Sequence, residues 1–321
     1  MHKLRRALLP LLIVLLIAIP ECKLSNPHGD LSDEQQYKLD LITEIKAFEK
    51  KIGFNETENF KTYSDETKAY DYSFFTSITT LPYSLDDPLL QAATGKPENI
   101  PIDLEKYDVF FYSIQAIAGG ETPVTKSLLQ ASLPRFIHVI FHEDWHEQID
   151  SPLGIEEPSA EVVSYTAAML FAKEKFGQNS EVYETLQKRF NKKLEESELY
   201  QQYYDELNIL YSSFHSGVVS EADTLAQKAR LLKEMEKELK NLWGAAPRQL
   251  NNAFISFQMT YFRHFPLIQR VYSATNYDLA ETMAILRSVP AQEVAFGAVA
   301  EAKSIEKEVT DYLLPYSRPA D

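Results

Sequence analysis

The chain has one cysteine, few basic residues for its length and one long apolar run. Cys22 is the only cysteine among 321 residues, so an intramolecular disulfide is excluded. The 32 basic residues are outnumbered by 47 acidic residues, which gives a formal charge of -15. Such a charge repels a phosphate backbone, so we predict no nucleic-acid partner.

The single apolar run covers residues 7–20 and follows a basic head with Lys3, Arg5 and Arg6. It is short for a bilayer span, which needs about 20 apolar residues, and is typical of a signal peptide. Because Cys22 follows this run directly, the segment predicts either a plain signal peptide or a lipoprotein signal, with an uncleaved anchor as a third alternative. We therefore expect an exported protein, periplasmic or lipid-anchored to the membrane and facing outside the cytoplasm.

The remaining chain divides by composition into a short polar segment and one large body. No second apolar stretch follows residue 30, so membrane contact is expected only through the N-terminal segment or a lipid on Cys22. We predict a signal at residues 1–22, a polar tether at 23–36 and a single domain at 37–321. A hydrophobic content of 45% suffices for a substantial core. The sequence predicts no particular oligomeric state.

Hydrophobic spacing predicts an α+β fold that is predominantly α-helical. Apolar side chains recur at helical spacing over residues 39–48, which indicates an amphipathic helix. Aromatic and β-branched clusters over residues 62–121 predict a small sheet, with its best strand at residues 109–114. After residue 130 the helical period dominates, so the C-terminal half is expected to be helical.

One helix carries a pattern suited to metal chemistry. Ser132 and the proline two residues later predict a helix start, and the helix should continue through His142, Glu143 and His146. Residues four apart lie on one helical face, so the two imidazoles can reach the same ion. Glu143 lies beside that face and can accept a proton from water without binding the metal itself. The apolar run at residues 136–141 predicts that this helix is buried.

Three further side chains near this motif are candidates for the site. A zinc hydrolase needs a third protein ligand, and Glu157 and Glu161 share one face of the next predicted helix. One of them could bind the metal while the other hydrogen-bonds a ligand histidine. His138 lies one turn before His142; it could pair with His142 on a metal, but we favour a supporting role in the core because its neighbours are apolar.

These motifs resemble a known class of peptidase. His142-Glu143-x-x-His146 followed by a glutamate that opens a helix is similar to the gluzincin zinc metallopeptidases. The chain also resembles a bacterial family of exported, often lipid-anchored predicted aminopeptidases over roughly residues 105–290. The glutamate segment of the first resemblance is Glu157-Pro158-Ser159-Ala160-Glu161-Val162. The segments that carry the second resemblance are Leu210-Tyr211, Lys228-Ala229-Arg230, Leu250-Asn251-Asn252-Ala253-Phe254, Thr260-Tyr261 and Pro266.

The resemblance implies a gluzincin-like fold and a zinc-dependent mechanism. It implies that Zn²⁺ is bound by His142, His146 and Glu157, that Glu143 is the general base, and that a peptide is the substrate. It also implies that the sheet packs on the helix with the motif and that the strand at residues 110–114 aligns the substrate.

Two further roles follow from the same resemblance. A tyrosine or histidine from later in the chain stabilises the oxyanion in gluzincins, and the candidates here are Tyr261 and His264. Glu161 and His138 are then expected to support the ligands by hydrogen bonds.

The chain departs from the family pattern at three places, and two other functions stay open. Asp144-Trp145 stands where Leu-Ala is usual, Glu156 stands where Asn is usual, and Pro158 stands where a small or aromatic residue is usual. An exported binding or structural lipoprotein with a decayed site is one alternative. A zinc hydrolase that acts on substrates other than peptides is the other.

Overall fold

The computed structural model describes residues 31–65, 69–290 and 294–318. The predicted signal and most of the predicted tether lie outside these residues. The five strands are β1 (Tyr63–Ser64), β2 (Tyr70–Ser77), β3 (Gln91–Thr94), β4 (Tyr107–Ile114) and β5 (Val124–Thr125). The ten α-helices are α1 (Asp33–Ile52), α2 (Lys126–Gln130), α3 (Leu133–His146), α4 (Leu153–Phe176), α5 (Glu181–His215), α6 (Glu221–Trp243), α7 (Asn252–Phe262), α8 (Phe265–Ala274), α9 (Leu279–Arg287) and α10 (Val299–Leu313).

The predicted amphipathic helix forms as α1, and it begins earlier than the composition suggested. Ser32 caps it in a capping box with Gln35, and Gly53 ends it with a left-handed φ of 95°. Residues 33–36, which the composition assigned to a polar tether, are therefore the first turn of this helix. Leu41 and Ile45 are fully buried and join the main core, so α1 is anchored by its apolar face.

Helices α3 and α4 form the centre of the molecule. Every residue of α3 from Phe136 to His146 is buried, and α4 is buried from Gly154 through Ala168. A helix that is buried over most of its surface lies inside a protein, so the motif on α3 is largely withdrawn from water. The core around this pair includes Phe136, Phe141, Trp145 and Val163.

The fold class predicted from the sequence is confirmed, with one correction in how the sheet packs. The larger sheet is antiparallel in the order β3-β2-β4, and Phe74 pairs with Phe110 across it. The inner face of this sheet packs on α7, where Phe110 contacts Phe254 and Phe257 at ring distances of 4.7 and 5.2 Å. The expectation that the sheet packs on the motif helix is wrong. Helix α7 takes that position because its aromatic face supplies the apolar surface that this side of the sheet needs.

Helices α1, α5, α7, α8, α9 and α10 pack against the central pair, and α6 packs against α5. Helices α5, α6 and α7 share a second apolar cluster that includes Tyr200, Leu207, Met235 and Phe262. Within the described ranges, no helix is both long and apolar enough to cross a membrane.

Candidate metal centre

Helix α3 presents its two motif histidines to a common point. The ring centroids of His142 and His146 lie 4.9 Å apart, as expected for residues one helical turn apart on the same face. Both imidazoles are buried. The predicted pair therefore forms as the helical spacing requires.

Glu157 from α4 completes a group of three donors. Its Oε2 atom lies 3.2 Å from Nε2 of His142 and 3.5 Å from Nε2 of His146. One ligand atom from each of the three residues lies within 4.8 Å of the others. Ligands of a tetrahedral zinc, each about 2.0 to 2.1 Å from the ion, lie about 3.4 Å apart. These three side chains could therefore hold a metal ion of that size and preference.

A second carboxylate, which the sequence did not predict for the site, contacts the other nitrogen of His146. Oε1 of Glu156 lies 2.6 Å from Nδ1 of His146. Such a contact fixes the orientation of the ring and leaves Nε2 for a metal. The sequence marks Glu156 as a departure from the family pattern. Its contact with His146 could not be predicted, because that contact depends on how α4 lies against α3.

The charges of this group are coupled. Burial alone would lower the pKa of His146, but the carboxylates of Glu157 and Glu156 raise it well above its usual value. Burial alone would raise the pKa of Glu157, but His146 and His142 lower it well below its usual range. Glu157 and His146 thus each favour the charged form of the other. A cation at this point would replace that imidazolium charge.

Glu161 and His138 lie on the opposite side of His142. Oε1 of Glu161 is 3.8 Å from Nδ1 of His142, which has no hydrogen-bond partner among the described residues. The other oxygen of Glu161 lies 2.7 Å from Nζ of Lys193. The structure therefore brings Glu161 next to His142, but without a direct hydrogen bond to it.

His138, His142 and Glu161 form a second group whose donor atoms lie close together. Nδ1 of His138 accepts a hydrogen bond from Arg135 at 3.3 Å, so Nε2 carries the proton and donates to Ser164 at 3.0 Å. Burial, followed by the charge of Arg135, lowers the pKa of His138 well below its usual value. A neutral imidazole with both nitrogens engaged is poorly suited to a metal. Lys193 already neutralises the carboxylate of this group.

Glu143 lies beside the histidine face and lines the adjoining cleft. Burial raises the pKa of its carboxyl, while the nearby charges of His142 and His146 lower it. The backbone of Ala118 also lowers the pKa of this carboxyl. The position of Glu143 is therefore that of a base next to the three donors, as its place in the motif predicts.

The two candidates for oxyanion stabilisation are placed differently. Tyr261 lines the cleft, and burial followed by the charge of Glu157 raises the pKa of its hydroxyl well above the usual value. His264 is not among the residues that line the cleft, and its Nε2 lies 3.0 Å from Oε2 of Glu306 on α10. The structure therefore brings Tyr261, but not His264, to the cleft that holds the three donors.

A cleft of about 1250 Å³ opens onto the three donors. Its walls come from β4 and the segment that follows it, from α3, α4 and α5, and from α7. The side chains of the site that line it are His142, Glu143, His146, Glu156, Glu157, Glu161 and Tyr261. This volume is large enough for a peptide of several residues.

Comparison with known proteins gives one family. The model of a family described as "Putative aminopeptidase" matches residues 105–294, which is more than half of the chain. No curated protein and no solved structure matches the chain. The matched range contains β4, both motif histidines and the carboxylates of α4 that surround them. The chain therefore belongs to this aminopeptidase family.

Proposed function

We propose that this protein is a zinc-dependent peptidase of the gluzincin type, aminopeptidase-like in keeping with its family. The observation that carries the proposal is the position of one Glu157 oxygen, 3.2 and 3.5 Å from the Nε2 atoms of His142 and His146. Two imidazoles and one carboxylate are the ligand set of catalytic zinc sites that keep an open position. Family membership supports a peptidase-like hydrolase with a peptide substrate.

The chain's own residues supply the remaining chemistry. When bound, zinc would polarise the scissile carbonyl and make a water molecule more acidic. Glu143 accepts the proton of the attacking water and returns it to the leaving amine, a role that suits a carboxyl whose pKa is raised by burial. Tyr261 keeps its proton at neutral pH and can donate a hydrogen bond to the developing oxyanion.

β4 is suited to holding an extended peptide. It is an outer strand of the sheet, and residues 112–118 at its end line the cleft. Gln249 and Asn251 occupy the start of its outer edge, since they bond the backbone N–H of Phe111 and the carbonyl of Val109. The edge beyond these bonds faces the cleft. Pairing of the substrate backbone with this edge would align the peptide across the donors.

The proposed place of action is outside the cytoplasm. The support is the basic head and apolar run before Cys22, a segment that lies outside the described residues. A lipid on Cys22 would attach the enzyme to the membrane surface.

Zinc analysis and peptide hydrolysis by a small set of variants test the proposal. The wild-type protein should contain one zinc per chain, and His146→Ala should lose it. Glu143→Gln should keep the zinc and lose hydrolysis by about 10² to 10⁴-fold, since only the base is removed. Glu98→Gln, at an exposed position, is the matched control.

Two outcomes would favour the other functions. Purified protein without zinc, whose stability is unaffected by a chelator, would indicate a binding protein with a decayed site. Zinc-loaded protein that turns over esters or other substrates, but no peptide, would indicate a different hydrolase.

A further inference from the structure

Three cationic side chains line one wall of the cleft. Arg135 lies in the first turn of α3, and Arg189 and Lys193 lie one turn apart on α5. All three are close enough to His138 for their charges to lower its pKa, so they form one cluster. This cluster, the cationic wall, adjoins the proposed metal centre on the side of Glu161.

The members of the cationic wall differ in how their charge is balanced. Nζ of Lys193 lies 2.7 Å from Oε2 of Glu161, so its charge is paired. Arg135 is half-buried, yet no carboxylate of the described ranges lies within 4.0 Å of its guanidinium. Charges withdrawn from water are normally paired, which makes an unpaired guanidinium in a cleft a position for an anionic group.

The guanidinium of Arg135 is held in place by neutral partners. Its Nε donates to Oε1 of Gln115 at 3.2 Å, and its Nη1 donates to Nδ1 of His138 at 3.3 Å. A guanidinium has five N–H donors, so these two contacts leave three for a ligand. The side chain is therefore oriented in advance, which lowers the entropic cost of binding an anion.

The start of α3 adds to the positive potential at this place. Ala131 and Ser132 line the cleft with Arg135, and the Ser132 side chain makes no capping hydrogen bond. The unsatisfied N–H groups of a helix start and its dipole both favour an anion. This contribution is independent of the Arg135 side chain and has the same sign.

We infer that Arg135 is the centre of a subsite for a carboxylate group of the peptide substrate. This inference rests on the proposed peptidase function. Arg135 precedes His142 by seven residues, or about 10 Å along the helix axis. An extended peptide advances about 3.3 to 3.6 Å per residue, so the carboxylate belongs about three residues from the scissile bond. It is either the C-terminal carboxylate of a short peptide or the side chain of Asp or Glu.

Matched peptides separate the two sources of the carboxylate. One pair differs only in a free C-terminal carboxylate or an amide, and a second pair differs only in Glu or Gln near the third residue from the scissile bond. The zinc-loaded wild-type protein should prefer the charged member of one pair. Arg135→Gln should raise the KM of that member about 10- to 100-fold and leave the neutral member unchanged. Its zinc content should match that of the wild type.

Lys188→Gln is the control, because Lys188 is exposed on α5 beside Arg189 but does not line the cleft. It should preserve the preference, and Arg135→Lys should restore part of it. No preference in the wild type, or an equal loss on charged and neutral peptides in Arg135→Gln, would overturn the inference.

A binding measurement separates failure of this inference from failure of the proposed function. Calorimetric titration of the chelator-treated protein with the same peptides does not require turnover. If no peptide is hydrolysed but the charged peptide binds in an Arg135-dependent way, the proposed function fails and the subsite stands. If peptides are hydrolysed and charged and neutral peptides bind equally, the subsite fails alone.

Discussion

The carboxylate of Glu156 lies 2.6 Å from Nδ1 of His146, whereas Nε2 of the same ring faces Glu157 at 3.5 Å. Two consecutive residues of α4 therefore contact the two nitrogens of one imidazole. Glu156 fixes the ring, and Glu157 shares the point on which both motif histidines converge. This arrangement assigns different roles to neighbouring carboxylates.

Glu156→Gln should weaken metal binding without removing a ligand. The neutral amide holds the His146 ring less firmly and makes Nε2 less basic, so zinc affinity should fall about 10- to 100-fold. Competition with a chromogenic chelator measures this change. Glu98→Gln, at an exposed position, should behave as the wild type. Unchanged zinc affinity in Glu156→Gln would show that the contact does not support the ligand.

Removal of the metal should expose a pH dependence of stability. The folded pKa of His146 is raised above 6.5, so its stabilising effect is complete below about pH 6.5 and is lost as the pH rises through the folded value. The folded pKa of Glu157 is lowered from 4.5, so its effect is complete above about pH 4.5 and is lost as the pH falls.

In the metal-free protein, His146 and Glu157 should therefore stabilise the folded state most between about pH 4.5 and pH 6.5. The Tm of chelator-treated wild type should fall on going from about pH 6 to pH 9, and His146→Ala should fall less. A parallel decrease in both proteins would contradict this assignment. Zinc should remove the decrease, because metal binding favours the neutral imidazole.

Asp144→Leu should destabilise the protein although leucine is the usual residue of the family pattern. The buried carboxylate of Asp144 accepts a hydrogen bond from Thr57 at 2.6 Å and one from Lys46. Leucine removes the acceptor of both hydrogen bonds, so the free energy of unfolding should fall by about 3 kcal/mol. Urea denaturation measures the change, and Asp40→Asn at an exposed position is the control.

Zinc content provides the second measurement on Asp144→Leu. The Asp144 carboxylate bonds Lys46 on α1 and Thr57 in the segment after α1, and neither residue belongs to the metal centre. The folded variant should therefore still bind one zinc. Loss of zinc with unchanged stability would place Asp144 in the metal centre instead.

Tyr261→Phe should lower kcat with little effect on KM. The hydroxyl keeps its proton because burial and then Glu157 raise its pKa, so it can donate to the oxyanion of the transition state. Removal of one such donor costs about 10² to 10³-fold in kcat. Tyr277→Phe, at an exposed position, is the matched control. Equal activity of the two variants would exclude Tyr261 from catalysis.

The sequence by itself determined the features that depend on local geometry. The helical period predicted the middle of α1, at residues 39–48, and it placed His142 and His146 on one face of α3, because residues four apart in a helix share a face. The apolar run before the motif determined that this helix would be buried. The strand at residues 109–114 was equally visible and forms the greater part of β4.

Only the tertiary structure decided which side chains meet across elements. The rotation of α4 against α3 places Glu157 beside both motif histidines. It also places Glu156 beside Nδ1 of His146 and Glu161 beside Lys193. All three carboxylates lie within two turns of one helix, so spacing along the chain does not separate their roles. Packing between segments distant in sequence also decided three other features. These are the packing of β4 on α7, the contact of His264 with Glu306 and the absence of a carboxylate partner for Arg135 in the described ranges.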